Sequence, residues 1–218
     1  MAAPPPGSKF ETLDVMAMSI LTPLCRTLQP WTSWSLRPAA LVSVLSEIVL
    51  HDRHVVVELG SGASTAYLGA LLRERAGRLY SVESDPAWAA ATRDRLNREG
   101  LAETVELVEA PLVANGRARP GHRWYDELAL APLLGESIDV LLVDGPPGAE
   151  GAGLARYPAL PFFAGSLSTR ALVALDDVSR EGEQKVLELW EQESSMTFWQ
   201  FPEVGLAMGS HLATPVHL

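Results

Sequence analysis

The sequence predicts an α/β fold: a doubly wound, mostly parallel seven-stranded sheet with an antiparallel last strand and an N-terminal helical extension. Three observations carry this. From residue 51 onward, short β-branched runs alternate with stretches of helical periodicity, the pattern of strands joined by crossover helices. Val55, Val56 and Val57 form a continuously apolar run, as expected of a strand covered on both faces. Near the end, 197–201 and 205–208 read as two strands joined by the Pro202-Glu203 turn, an antiparallel pair at the sheet edge.

The elements follow in order. Residues 1–9 are small and Pro-rich and read as a disordered tail. Phe10, Leu13, Met16, Met18 and Leu21 recur at helical spacing in 10–28, before Gln29-Pro30 stops the pattern. A second helix is expected to start at Ser35 as cap and run to residue 50, burying Leu41, Val44, Leu45 and Ile48. These helices form a cap (10–50) on an α/β domain (51–218). Within that domain strands are expected at 55–57, 78–82, 105–108, 138–143 and 171–175. Helices are expected at 64–75, 86–99, 158–168 and 182–193. Residues 111–135, rich in Gly, Arg and Pro, break the rhythm and read as an insertion near the ligand side.

The 218 residues, 47% hydrophobic and 20% charged, suit one globular domain and exclude general disorder. Carboxylates outnumber Lys and Arg 27 to 17, for a net charge of −10, which argues against nucleic acid and anionic membranes as partners. The most apolar stretch, 39–50, is interrupted by Ser43, Ser46 and Glu47 and is too short to span a bilayer. Residues 1–7 carry no basic region followed by an apolar one, so no secretory leader is expected. One cysteine, Cys25, excludes a disulfide framework and a thiolate zinc cluster. The cytoplasm is the expected location.

In doubly wound sheets ligands bind beyond the carboxyl ends of the strands, where strand order reverses. At the first such end stands Glu58-Leu-Gly60-Ser61-Gly62-Ala-Ser64-Thr65. The glycines permit a tight turn and close approach of a ligand to the next helix's N-terminus. Glu58 is placed to hold a cationic or hydrogen-bond-donating group. Ser64 replaces the third glycine of a dinucleotide fingerprint and can cap the helix. At the second end, Glu83 can accept both hydroxyls of a ribose, while Asp85 caps the helix that opens at Pro86.

With Ile138-Asp-Val-Leu-Leu-Val143-Asp144-Gly145-Pro146-Pro147-Gly148 added, these segments resemble motif I, the ribose acid and motif IV of class I S-adenosylmethionine-dependent methyltransferases. The resemblance runs from about Ser35 to the C-terminus. It is nearest to a bacterial small-molecule subgroup, through Glu58 to Thr65, Trp124-Tyr125-Asp126, Val143 to Gly148 and Leu175 to Arg180. It implies that Gly60, Ser61 and Gly62 line the methionine moiety, and that Glu83, with Ser84 beside it, holds the ribose. It further implies that Ala110 borders the adenine and that Glu58, Ser64, Asp144 and Gly145 complete the cofactor pocket. Trp88 lies near the adenine or in the core. A sulfonium is positive, so an acid-lined cleft suits it; no Lys or Arg falls within 58–65 to favour a pyrophosphate.

Methyl transfer needs alignment of acceptor, methyl carbon and sulfur, and a base when the acceptor is a hydroxyl. Asp144, Asp176 and Asp177 stand at two strand ends. The similarity to catechol-type O-methyltransferases implies Mg²⁺ held by these three, with oxygen ligands as that ion prefers. The sequence departs from that pattern, with Asp177 in place of Asn and Gly-Pro-Pro after Asp144 in place of a Lys-bearing turn. The alternative is that Asp177 caps the following helix and Asp144 contacts cofactor or backbone. His122, in the insertion, is a second candidate base. The N-terminal helices, with Trp31 and Trp34, cover the acceptor, a homodimer partner or simply the core. The expected activity is methyl transfer to a small-molecule acceptor, more readily to oxygen than nitrogen. A nicotinamide-dependent oxidoreductase and a non-catalytic scaffold are the rivals. The missing third glycine, the Asp-Gly-Pro-Pro-Gly loop and the antiparallel last strand speak against the former.

Overall fold

The computed structural model of the chain describes residues 9–147 and 153–210, with side chains from Thr12 onward. Gly148, which closes the 143–148 motif, and residues 1–8 of the expected tail lie outside the described residues. Strands β1 (Val55–Leu59), β2 (Arg78–Glu83) and β3 (Val105–Glu109) alternate with helices α3 (Ala63–Glu74) and α4 (Pro86–Glu99), after α1 (Lys9–Leu21) and α2 (Pro38–Leu50). A two-stranded ribbon, β4 (Leu112–Val113) and β5 (Trp124–Tyr125), leads to the short α5 (Glu127–Leu130). Then come β6 (Ile138–Val143), α6 (Ala159–Phe163), β7 (Leu167–Asp176), α7 (Glu181–Glu193), β8 (Thr197–Phe201) and β9 (Leu206–Ser210).

The main sheet has seven strands in the order β3-β2-β1-β6-β7-β9-β8. All neighbours are parallel except β9, which runs antiparallel to both β7 and β8. The last strand of the chain is thus the reversed one, and it sits one place inside the edge. Successive strand residues face opposite ways: Val56 and Leu142 join a core under α1, α2 and α3, while Val57 and Leu141 join a second core with Trp124, Phe163, Val186 and Trp190. Both faces are covered, which explains the apolar runs 55–57 of β1 and 140–143 of β6. Strand order reverses between β1 and β6. Register aligns Leu59 with Val82 and Val143, and Val143 with Leu175. The residues that follow these four therefore emerge side by side.

Several boundaries differ from the sequence expectation. The first helix stops at Leu21, followed by a 3-10 turn over Thr22–Leu24 that contains Pro23, which cannot donate an α-helical hydrogen bond. Ser35 does not cap α2. Its hydroxyl accepts from Thr32 N (3.0 Å), and α2 opens at Pro38, its Ala39 N–H donating to Asp14 Oδ1 from α1 (3.1 Å). The helix expected over 158–168 shortens to α6 and a 3-10 turn, because β7 already begins at Leu167. Asp85 caps α4, accepting from Trp88 N (2.8 Å), and Gly100 closes it in the left-handed region (φ 70°). Among the described residues no helix is long and apolar enough to cross a membrane.

Candidate active site

The loop after β1 is braced from below and open above. Gly60 has φ 95°, and a Cβ there would stand 3.0 Å from the Gly145 amide nitrogen; the loops after β1 and β6 touch backbone to backbone. Gly62 is different: only Ser64 Oγ, at 3.9 Å, comes near where its Cβ would be, so its backbone is bare towards the cleft. Glu58 corrects an expectation. It is fully buried and accepts from Ser64 Oγ, Thr65 Oγ1 and Ser81 Oγ, each at 2.6 Å. Burial raises its carboxyl pKa, and the three hydroxyls pull it back. Glu58 thus ties loop, helix and β2 together beneath the cleft and does not line it. Ser64 is committed to the same contact, so the cap of α3 comes from Thr65, whose hydroxyl accepts from Gly62 N (2.9 Å).

Glu83 ends β2 and does face the cleft. Oε2 accepts from Ser61 Oγ (2.7 Å) and Ser61 N (3.3 Å); Oε1 accepts from Ser84 N (2.7 Å) and Asp85 N (2.8 Å). Its carboxylate is held rigid by amides with a hydroxyl already seated on it, which is the partner chemistry of a ribose. Trp88 is not in the core. Its Nε1 donates to Ser61 O (2.8 Å), its ring forms one wall of the cleft, and the Arg95 guanidinium lies 5.6 Å from the ring centroid. Ala110 is fully buried, with its N–H donating to Glu83 O (2.8 Å), and is not among the lining residues.

Asp144, Asp176 and Asp177 converge at the ends of β6 and β7, with one carboxylate oxygen of each within 4.8 Å of the others. Burial raises the pKa of Asp144 well above the usual carboxylate range, and the neighbouring Asp176 raises it further. Burial and Asp177 push Asp176 up to about 6. The hydrogen bond between the Asp144 and Asp176 side chains raises Asp144 further and pulls Asp176 back down. Asp177 is left-handed (φ 63°) and does not cap α7, whose N-terminal flank is Arg180.

Sequence reasoning missed the residue at the centre of this group. Arg156, 3% exposed, donates through Nη2 to Asp144 O (2.6 Å) and Asp177 Oδ2 (3.0 Å) and approaches Asp144 Oδ1 (3.5 Å). Nη1 donates to Asp176 O (3.0 Å) and Nε to Pro146 O (3.4 Å), with buried Glu183 Oε1 3.8 Å away. Arg180 Nη1 also reaches Asp177 Oδ2 (2.7 Å). This arrangement does not fit a divalent ion. A dication shared by the three carboxylates would sit beside a guanidinium already bound to two of them, a like-charge contact costing several kcal/mol at an effective dielectric of ~20.

His122 is half-buried in the 114–123 loop, its N–H donating to Arg119 O (3.0 Å). It does not line the cleft, so it cannot act as the base from this position. Tyr125, from the ribbon in the same segment, does: it is buried with its hydroxyl against Gly145, and burial, then Glu83, pushes its pKa well up. Residues 32–36 also line the cleft, Trp34 being 74% exposed there, while Trp31 stacks on Tyr67 (centroids 5.9 Å apart). The cleft measures about 330 Å³, within the usual span of small-molecule sites, about 300–1,000 Å³.

A doubly wound sheet with its last strand reversed, a bare glycine turn after β1 and an acid facing the cleft after β2 are the frame of an S-adenosylmethionine-dependent methyltransferase, the class to which comparison with known proteins assigns the chain. The chain belongs to a methyltransferase-domain family, which matches residues 57–178. No curated protein matches its sequence. Among solved structures it is similar to the SAH-bound methyltransferase PaMTH1 of Podospora anserina (14% identity, 96% of this chain and 98% of that one, TM-score 0.64). It is also similar to the O-methyltransferase TomG of Streptomyces achromogenes, involved in tomaymycin synthesis and solved with SAM (17%, 93% and 98%, 0.59). A third is the O-methyltransferase of Bacillus cereus solved with SAH (15%, 94% and 92%, 0.59). At these identities the likeness is one of fold.

Proposed function

We propose that the chain methylates a hydroxyl of a small-molecule acceptor, with S-adenosylmethionine as donor. The observation that carries this reading is the single cleft in which Glu83, the bare Gly62 turn and the Asp144–Asp176 pair all meet. When bound, the donor supplies a methyl carbon whose bond to sulfur breaks, with its electron pair left on sulfur, as the bond to the acceptor oxygen forms. Glu83 is the group suited to the ribose hydroxyls, and it would exchange the Ser61 hydroxyl for them. Gly60, Ser61 and Gly62 would flank the methionine part, with Ser84, Asp144 and Gly145 in the same wall and Trp88 offering an aromatic face. The acceptor's hydroxyl proton would pass to the Asp144–Asp176 pair, whose carboxyls line the cleft. Oxygen is favoured over nitrogen because a hydroxyl acceptor must give up its proton, and carboxyls stand in the cleft to take it.

The size of the cleft, about 330 Å³ with 32–36 in its lining, supports a small acceptor. The names of the Streptomyces and Bacillus relatives support oxygen as the methylated atom. No step is assigned to Mg²⁺, given Arg156. A homodimer would find its surface on α1, where Val15, Met16 and Ile20 are exposed, and the cytoplasm remains the expected location. Calorimetry with S-adenosylmethionine and NAD tests the donor, and mass spectrometry on a panel of hydroxylated acceptors tests the transfer. Glu83→Ala is expected to weaken donor binding by roughly 1.5–3 kcal/mol, as for hydrogen bonds to a charged group. Donor affinity unchanged in the folded variant, or NAD bound in preference, would refute the reading.

A further inference from the structure

We propose that Arg156 is the resident cation of the acceptor site, a positioning residue that fills the electrostatic place of a divalent ion. The guanidinium is buried and ties together three carbonyls, those of Asp144, Pro146 and Asp176, which belong to the ends of two different strands. The same group binds the Asp177 carboxylate and lies against those of Asp144 and Glu183. A side chain so held cannot swing aside without leaving buried donors and acceptors unpaired. With Arg180 on Asp177, two guanidiniums already face the four carboxylates. An added dication would displace one of them or sit in contact with it. Arginine keeps its charge at every accessible pH and presents a fixed fork of donors, so it orients the Asp144 and Asp177 carboxylates without a metal's exchange with solvent.

The inference rests on the methyl-transfer reading only in calling this end of the cleft the acceptor side, and its test uses neither donor nor acceptor. Mn²⁺ binding to the full chain, followed by electron paramagnetic resonance of the free ion, is the measurement. Wild type is expected to leave Mn²⁺ free through the submillimolar range. Arg156→Gln is expected to take up one ion at least about tenfold more tightly, because the like charge is gone, and Arg156→Lys to exclude it as wild type does. Wild-type uptake of one Mn²⁺ per chain that Asp177→Asn abolishes would overturn the proposal. So would a folded Arg156→Gln that binds no better than wild type. Should that variant not fold, the wild-type titration and its Asp177→Asn control decide alone. Donor calorimetry on the same samples reports separately on the methyl-transfer reading.

Discussion

Asp176→Asn is expected to stabilise the protein at neutral pH and to leave it nearly unchanged in acid. Asp176 is buried at the end of β7, and burial together with Asp177 lifts its pKa from the usual 3.8 to about 6. Between those values the native chain keeps a proton that the unfolded chain has released. Stability from this group is therefore full below about pH 4 and is lost as pH rises through 6. At about 1.4 kcal/mol per pKa unit, the loss is on the order of 3 kcal/mol. Asparagine carries no charge at either end of that window and leaves the Arg156 contact intact, because Nη1 binds the Asp176 carbonyl and not its side chain. Urea unfolding of wild type and variant at pH 3 and pH 7.5, in chelator, isolates the effect. The difference between variant and wild type should be near zero at the lower pH and favour the variant at the higher one. An equal difference at both, or a variant weaker at pH 7.5, would show that the ionised carboxylate is welcome where it stands.

Two further substitutions test the frame around the site. Gly60→Ala should lower stability by about 1–3 kcal/mol, the cost of a left-handed alanine, and more if the Gly145 backbone cannot yield, since the new methyl would stand 3.0 Å from its nitrogen; a thermal scan showing no loss would contradict the geometry. Glu99, buried at the end of α4, accepts from Arg26 N (2.7 Å), Thr27 N (3.1 Å), the Thr27 hydroxyl and Gln29 Nε2 (3.1 Å). Burial opposes its charge, but these donors outweigh it and lower its pKa, so the anchoring is present above the ordinary carboxylate pKa and fades as pH falls through the lowered one. Glu99→Gln turns one acceptor into a donor facing donors, a cost of about 1–3 kcal/mol. It should speed amide exchange across residues 25–29 at pH 7, and unchanged exchange there would remove Glu99 as the anchor.

How much of this was legible in the sequence depends on where each residue finds its partner. β1 and β6 were plain because burial on both faces is written locally, as the apolar runs 55–57 and 140–143. Asp85 was plain because its partner, Trp88 N, is three residues on. Ser35 and Ser64 looked equally good as caps, yet each was taken by another contact: Ser35 by the turn at Thr32, Ser64 by Glu58. Glu58 read as a ligand group because nothing local shows that Ser81, on the neighbouring strand, also donates to it. The strand-end acids were identifiable for a stronger reason. Parallel register carries Leu59, Val82, Val143 and Leu175 to one line, so residues just past each strand must share a cleft whatever the intervening loops do. Loop residues have no such constraint. His122 and Tyr125 lie three apart in one insertion, and only the tyrosine reaches the cleft; Arg156 follows a Gly-rich stretch with no periodicity to place it. The sheet dictates where the carboxylates gather, and a charge arriving from a loop decides whether that gathering takes a metal or a guanidinium.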